Sequence, residues 1–463
     1  MTATSLHHKL WHLAWPMMLS NITVPLLGLV DTAVLGHLEN PSYLAGVALS
    51  TTLFTSVFWL FGFLRMGTCG MTAQAVGGQN TPRILELLMS AGWFGLVMGA
   101  VLIAFSGFWM PLGLDLLAGE PTTNTELASA LHQDQNRVLI QAQLYADWRI
   151  LGAPFVLLNY CLIGWFVGRQ NTRVPLMMLV TANLINIVMD LLLVIHFDMG
   201  VEGVAMATLC ADVSSVFLGL FFVARYYRHE FPQLQHLLPH WPTVREMMQV
   251  NRYIFVRTGT LLLTFAFFTA QGARLGEEFL AANAVLLTFL LLISNALDGF
   301  AHGAEALVGE ACGQKNHAQV KRVIQVSLLW SAISAGLLIL VFGAGGAWLI
   351  SLLTDLESVR SLASDYLIWL VLMPLISVWC YTYDGIFIGS TKVRAMQNIM
   401  LISTFGIFLP MIWAIEQLEM SGWIASSEEA NHLLWLAMTL FMLSRSVGMA
   451  LFSRHYSNQK SWY

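Results

Sequence analysis

The sequence predicts an all-α membrane protein, with twelve transmembrane helices arranged as two parallel-related six-helix lobes. Three observations lead there. Of 463 residues, 57% are hydrophobic and only 11% charged, where a soluble domain carries about 25% charged residues. Apolar stretches of roughly 20 residues, the length that crosses a hydrocarbon core at about 1.5 Å per residue, recur twelve times. A pattern in the first half, Gln74-Ala-x-Gly-x-x-Asn80, returns as Glu310-Ala-x-Gly-x-x-Asn316 at an offset of 236 positions. The same offset pairs Gly67 with Gly303, Leu49 with Val285 and Ala45 with Ala281. A later echo pairs Gly164–Arg173 with Gly385–Arg394 at offset 221, with Pro154 and Pro374 just upstream. The shorter offset implies loop differences between two duplicated halves.

The first stretch, 10–36, carries Pro16, Pro25 and Asp31 in apolar surroundings. It outruns the apolar region of a signal peptide and lacks a small-residue cleavage site, so it is expected to stay as helix 1. Stretches 44–66 and 84–109 flank the first repeat copy, whose Gly-x-x-Asn segment reads as a tight turn at the inner surface. Stretches 138–166, 174–196 and 201–224 complete a first lobe, residues 1–224. Within 174–196, Asn183, Asn186 and Asp190 are spaced i, i+3, i+7 and share one helix face. Residues 225–251, with Pro232, Pro239 and Pro242, read as a cytoplasmic inter-lobe linker. Stretches 252–275, 281–305, 322–352, 364–389, 395–415 and 431–453 build the second lobe, residues 252–463. Of these, 281–305 carries a polar stripe of Asn295, Asp298, His302 and Glu305, and 364–389 carries Tyr381 and Asp384. The apolar–polar alternation of a membrane barrel is absent, so backbone groups must be satisfied within helices. Six helices per half is an even number, so both halves enter the membrane in the same sense.

Charge placement supports the count. With the amino terminus inside, fifteen basic residues fall on inner loops and helix ends, from Lys9, Arg83, Arg169 and Arg173 to Arg394, Arg454 and Lys460. Three, Arg137, Arg274 and Arg360, fall outside. That bias is the one that retains Lys and Arg in the cytoplasm, and it puts both termini there. Acidic residues such as Asp115, Glu277, Glu278, Glu416 and Glu429 fall on the outer side. Few Lys or Arg lie mid-span.

Several function classes are disfavoured. Cys69, Cys161, Cys210, Cys312 and Cys380 lack metal or redox spacing, and no metal site is expected. There is no phosphate-binding loop and no His-Glu-x-x-His pair. A nucleophile with a base is likewise missing, so the chain does not read as an enzyme. A formal charge of −5 says little about partners, since the charges are segregated by membrane side.

The informative residues are acids inside apolar spans: Asp31, Asp190, Asp298, Glu305 and Asp384. A mid-bilayer carboxylate costs about 2.5–3.5 kcal/mol on insertion scales, so such groups face protein or water and often mark ion pathways. The competing reading is structural glue between helices, and it weighs more for Asp298, Glu305 and Asp384 than for Asp31 and Asp190. Pro16 removes a helix hydrogen bond, which lowers the cost of a bend. A carboxylate that is costly when charged and cheap when protonated can select between straight and bent forms of helix 1.

The segments "LAWPMMLSNITVPLLGLVDTAVLGHL", "TAQAVGGQN", "NLINIVMDLLLV", "ALDGFAHGAEALVGEACG" and "YDGIFIGST" together resemble the multidrug and toxic compound extrusion (MATE) family, in its bacterial DinF-type branch. The resemblance covers nearly the whole chain. It implies a cation-coupled antiporter of the bacterial inner membrane that exports amphipathic drugs or toxic organic cations by alternating access. The expected partners are those small molecules and membrane lipid, without nucleic acid; no cofactor is expected, and the chain is expected to be a monomer. The family's first-lobe cation or proton site falls on Asp31, Asn159, Asn186, Asp190 and Thr208, with its hinge proline at Pro16. Protonation of Asp31 would bend helix 1 and shrink the first-lobe pocket. Sodium-coupled members carry a second-lobe glutamate on helix 7, whereas helix 7 of this chain has no carboxylate and its charge is Arg257. The departure favours a proton, although sodium on the same oxygen ligands stays open. Flipping of lipid-linked precursors is an alternative that calls for a basic central cavity. The second-lobe acids Asp298, Glu305 and Asp384 are secondary candidates.

Overall fold

The structure, a computed structural model, describes the side chains of residues 5–21, 42–118, 136–226, 238–424 and 426–463, and the backbone also of 3–36, 41, 126–135 and 227. Among the described residues there is helix and no strand. In chain order the helices are α1 (Ala3–Gly36), α2 (Pro41–Leu60), α3 (Phe63–Gly77), α4 (Thr81–Ala104), α5 (Ser106–Ala118), α6 (Glu126–Arg149), α7 (Ala153–Gly168), α8 (Arg173–Asp190) and α9 (Gly200–Tyr227). The second half has α10 (Trp241–Leu275), α11 (Glu277–Gly313), α12 (His317–Leu353), α13 (Glu357–Asp365), α14 (Leu367–Gly389), α15 (Val393–Ser403), α16 (Leu409–Met420) and α17 (Ser427–Gln459). Eleven spans in the described residues are long and apolar enough to cross a membrane. The 34-residue α1, which covers the first expected stretch, brings the count to the twelve read from sequence.

Agreement with the expected spans is close except where helices outrun the apolar core. The second span runs Ser42–Gly77 and the eighth Glu277–Gly313, each well past the point where apolar sequence thins out. Apolar composition reports only the membrane-buried part of a helix. The backbone continues while its hydrogen bonds can be satisfied. Likewise α10 begins at Trp241, with Pro242 in its first turn, where the missing N–H costs nothing. Residues 241–251, read as linker, are therefore helix; residues 228–237 of that linker lie outside the described residues.

Both repeat copies end in the same local structure. Gln79 and Lys315 adopt left-handed φ values of 54° and 52°, and Asn80 and Asn316 then cap α4 and α12 by accepting from the N–H groups of Arg83 and Gln319 at 3.1 Å. The later echo repeats the turn at Gln170 and Thr391, with φ of 62° and 56°. Packing follows the same symmetry. A Cβ on Gly164 would lie 2.3 Å from the Arg65 carbonyl oxygen, and one on Gly385 would lie 2.1 Å from that of Ala301. Gly168 meets Cys69 as Gly389 meets Glu305. In each half a small-residue stripe thus lets two helices touch backbone to backbone, the membrane device that replaces a hydrophobic driving force.

The halves meet through α1 and α3 against α11, over a continuous core that includes Leu10, Leu64, Leu297, Phe300 and Leu307. Their contacts gather at the turn-bearing end. A Cβ on Gly77 would sit 2.0 Å from the Glu310 carbonyl oxygen, and one on Gly313 would sit 2.0 Å from that of Gln74. Since Gln74 and Glu310 are repeat equivalents, this is a reciprocal contact about a local two-fold axis. Around it, Glu310 accepts from Lys9 at 2.9 Å and from Gln170 at 2.8 Å, and Gln74 donates to the Gly389 carbonyl at 2.9 Å. Arg83 of α4 reaches Glu246 and Thr243 of α10. The Gly-x-x-Asn segments are tight turns as expected, and their flanking glycines also seal one end of the space between the halves.

Candidate functional site

Two polar clusters lie inside the apolar body. The first is built by α7, α8 and α9. Asn186 and Asp190 are fully buried on the face their spacing defines, and Asn186 Nδ2 donates to Thr208 Oγ1 at 3.3 Å. Thr208 in turn donates to the Val204 carbonyl at 3.0 Å. Asn159 enters from α7 and donates to the Asp212 carbonyl, one turn beyond Thr208, at 3.2 Å. Its Oδ1 is buried without a hydrogen-bond donor among the described residues, so an acceptor faces inward ready for a proton-bearing group or a cation. Immediately after Asp190, residues Leu191–His196 form a π-helical turn, closed by Phe197 N–H to the Leu192 carbonyl at 3.0 Å. Such turns recur at functional sites because they leave a backbone group out of the regular ladder. The fifth span of the second half has one too, at Thr404–Phe408.

Four of the five sequence-named residues, Asn159, Asn186, Asp190 and Thr208, therefore share one neighbourhood. Helix α1, which carries Asp31, packs along α8, but the Asp31 side chain lies outside the described residues. Pro16 is buried, and α1 stays helical through it from Ala3 to Gly36. Asp212, one turn from Thr208, is engaged by Arg149 at 2.8 Å, and that guanidinium also stacks 5.0 Å from the Phe58 ring centre. This pair is structural support for α6 against α9.

The second cluster lies between the halves. Asp298, Glu305 and Asp384, named separately from sequence, line one cavity of about 90 Å³ together with Arg65, Arg257 and His302. Arg65 of α3 crosses to α11, its Nη1 3.1 Å from His302 Nδ1 and 3.7 Å from Glu305 Oε2. On the far wall Arg257 of α10 and Arg445 of α17 both donate to Oδ2 of Asp384, the second at 3.1 Å. A larger chamber of about 220 Å³ adjoins, lined by Phe265, Leu287, Leu290, Leu291, Met442 and Arg445. Trp59, Leu261, Ser294 and Tyr381 border both spaces.

Sequence reading missed the basic side of this cluster. The expectation that few basic residues lie mid-span underrates them, because Arg65, Arg257 and Arg445 converge on one space. A signal was present: the chain has 22 Lys and Arg, and assigning eighteen to loops and helix ends leaves Arg65, Arg149, Arg257 and Arg445 inside the spans. Each of the four is paired with a carboxylate. A charged residue survives in a span where a partner from another helix meets it, and that partner is invisible in one-dimensional sequence.

A duplicated helical bundle with a buried ion pair, Arg65–Glu305, between its halves defines a polytopic membrane protein. Comparison with known proteins makes the class specific. The sequence model of the MatE family matches residues 16–192 and 255–414, and the chain belongs to that family. It is 38% identical over 461 residues, covering 99% of this chain and 95% of the other, to the DNA damage-inducible protein F of Escherichia coli K12. It is 24% identical to Protein DETOXIFICATION 44, chloroplastic, of Arabidopsis thaliana, over 96% of this chain and 81% of that one. Among solved structures it superposes on a multidrug resistance MATE family transporter in an outward-facing conformation, with a TM-score of 0.83, 15% identity and 98% and 97% coverage. A MATE structure in a bent conformation gives the same TM-score over 100% and 99% of the two chains at 15% identity. These likenesses carry the fold; the DinF-type resemblance read from sequence is borne out by the 38% relative.

Proposed function

We propose that this chain is a proton-coupled multidrug antiporter of the bacterial inner membrane, exporting amphipathic organic compounds by alternating access between lobes 1–224 and 252–463. One observation carries the reading: the reciprocal Gly77–Glu310 and Gly313–Gln74 contacts close one end of the interface between two duplicated halves, and the cavities lie beyond it. A duplicated bundle sealed on one side by symmetric, separable contacts is the physical requirement for access from one side at a time. The sealed end carries the basic loops with Arg83, Lys315, Lys321 and Lys392, which assigns it to the cytoplasm. The sealed form is then outward-facing, and both termini are inside. The protein acts as a monomer in this reading.

Coupling is assigned to Asp31 with Asn159, Asn186, Asp190 and Thr208. Asn159 Oδ1, buried without a donor, supports a group that gains a proton or cation nearby. A proton is favoured over sodium because the span 252–275, which carries Arg257, has no carboxylate. Protonation of Asp31 changes its demand for hydrogen bonds, and α1 bends near Pro16. The test is Asp31→Asn in proteoliposomes, where the protein should insert normally and lose export driven by a pH gradient. Export by that variant at the wild-type rate would refute the switch, and export driven by a sodium gradient without a pH gradient would reassign the ion.

A further inference from the structure

Arg65 and His302 make a polar link between the halves, inside their interface. Arg65 Nη1 of α3 stands 3.1 Å from Nδ1 of His302 on α11, and His302 is buried. A guanidinium is a donor only, so Nδ1 accepts, and an imidazole that accepts there is the neutral form. The same Nδ1 lies 3.6 Å from Oε2 of Glu305, one turn along the same helix face. Glu305 is only 1% exposed, and its Oε1 is buried with no hydrogen-bond partner among the described residues. Arg65 reaches Oε2 only at 3.7 Å, and the Cys69 thiol beside this carboxylate is a weak donor. A buried carboxylate that lacks a strong donor therefore adjoins an imidazole nitrogen that can gain a proton. The remaining neighbours keep that demand in place. Asp298 of α11, Tyr381 and Asp384 of α14 and Arg257 of α10 face the same cavity. Arg257 and Arg445 of α17 are both drawn onto Asp384, while Asp298, one turn before His302, favours positive charge there. Helix α1 meets this stretch of α11 with Leu10, Ala14 and Met18, and α12 has no charged residue between Arg322 and its end at Leu353. At the repeat offset of 236, His302 and Glu305 correspond to Met66 and Cys69. The packing common to both halves thus calls for neither polar group.

We propose that His302 is a second proton-binding site of the antiporter, and that its proton releases the Arg65 link between the halves. Neutral His302 accepts a charge-assisted hydrogen bond from Arg65 and ties α3 to α11. A proton added at Nδ1 turns the acceptor into a donor of like charge, which faces Arg65 at 3.1 Å and turns to Glu305 instead. The His302–Glu305 pair then lies wholly on α11, and the tie across the halves is lost. The sign follows directly: the neutral ring favours the sealed arrangement, so the sealed population is greatest at high pH and falls as pH drops. Histidine is the side chain whose ordinary change of charge falls at about pH 5–8. The site lies beyond the seal, away from the basic loops, so its proton arrives from outside and loosens the inner end, the order that antiport needs. The assignment rests on the exporter reading above and adds a proton to its cycle.

The test is the pulsed dipolar distance between spin labels at Thr81 and Ala318, exposed on α4 and α12, in lipid nanodiscs without substrate or gradient. Asp31→Asn is the background throughout, so that the first-lobe proton contributes nothing. From about pH 8 to about pH 5 the ratio of short to long distances should fall about tenfold or more, the value of one charge-assisted hydrogen bond. His302→Gln can still accept from Arg65 and cannot become charged, so it should keep the high-pH ratio across the range. Glu305→Gln removes the carboxylate that holds the proton and should move the fall to lower pH. The proposal is overturned by no fall in the background protein, by the same fall in His302→Gln, or by an unmoved midpoint in Glu305→Gln. If His302→Gln does not fold, Arg65→Gln takes its place: with the link already cut, the ratio should start low and ignore pH, and a full response there overturns the proposal equally. Failure of the exporter reading is separable. A His302-dependent response in a protein whose wild type exports nothing under a pH gradient would strike the exporter and leave the proton site standing.

Discussion

Gly77 offers the sharpest test of how the halves close. In Gly77→Ala the new methyl group would stand 2.0 Å from the Glu310 carbonyl oxygen, 2.8 Å from its carbon and 3.0 Å from its Cα. All three are backbone atoms of the opposite half, so no side chain can swing away. Restoring an ordinary contact of 3.4 Å demands that α3 and α11 separate by about 1.4 Å at that point. Because the reciprocal contact at Gly313 is part of the same surface, the separation cannot be absorbed by sliding. Overpacking of this kind costs about 1–3 kcal/mol, and the cost falls only on the closed state. The closed population relative to the open one should drop by about 5- to 150-fold. Spin labels at Thr81 and Ala318, exposed on the two capped helices flanking the contact, would report it by pulsed dipolar distances. The wild type should give a short distribution and Gly77→Ala a longer one, with export reduced in parallel. Gly107, whose added methyl would meet nothing within 4 Å, is the control and should behave as wild type. An unchanged distance distribution together with full export in Gly77→Ala would refute the closure argument.

Two other perturbations follow from the buried charges. Asp384→Asn leaves Arg257 and Arg445 without their shared carboxylate, and breaking a buried pair from one side costs about 3–5 kcal/mol. Thermal unfolding in detergent should show a large drop that Asp384→Glu partly recovers, and an unchanged midpoint would mean the ion pairs are not formed. Glu310→Gln keeps the shape but loses the charge that Lys9 meets at 2.9 Å. The pair is only partly buried, so the loss should be about 1 kcal/mol or less. It should appear as faster modification of a cysteine placed at Gln314, with the difference shrinking at high salt; equal modification rates at low salt would remove Lys9 and Glu310 from the seal.

Much of the polar machinery was legible one helix at a time. Asn186 and Asp190 announce a buried face because a helix repeats every 3.6 residues, and both are fully buried. Asn80 and Asn316 announce capped turns because the same spacing occurs twice. What no single helix could announce was a charge pair between two helices. Arg257 could be noticed as a lone charge, yet its partner Asp384 is 127 positions away. Arg65 attracted no attention because nothing within its own helix explains it, while His302 and Glu305 lie across the boundary between the halves.

The sequence by itself determined that the chain crosses a membrane as helices, that it is duplicated, and that the span acids Asp190, Glu305 and Asp384 are buried. Those properties follow from composition and local period, since lipid forces each backbone group to find its partner within its own segment. Only the tertiary structure decided which charges neutralise one another, where the halves seal, and that the space between them is walled by arginines as well as acids. Charge pairing and close glycine contact depend on distances of a few ångströms between remote segments. No pattern along one segment specifies them.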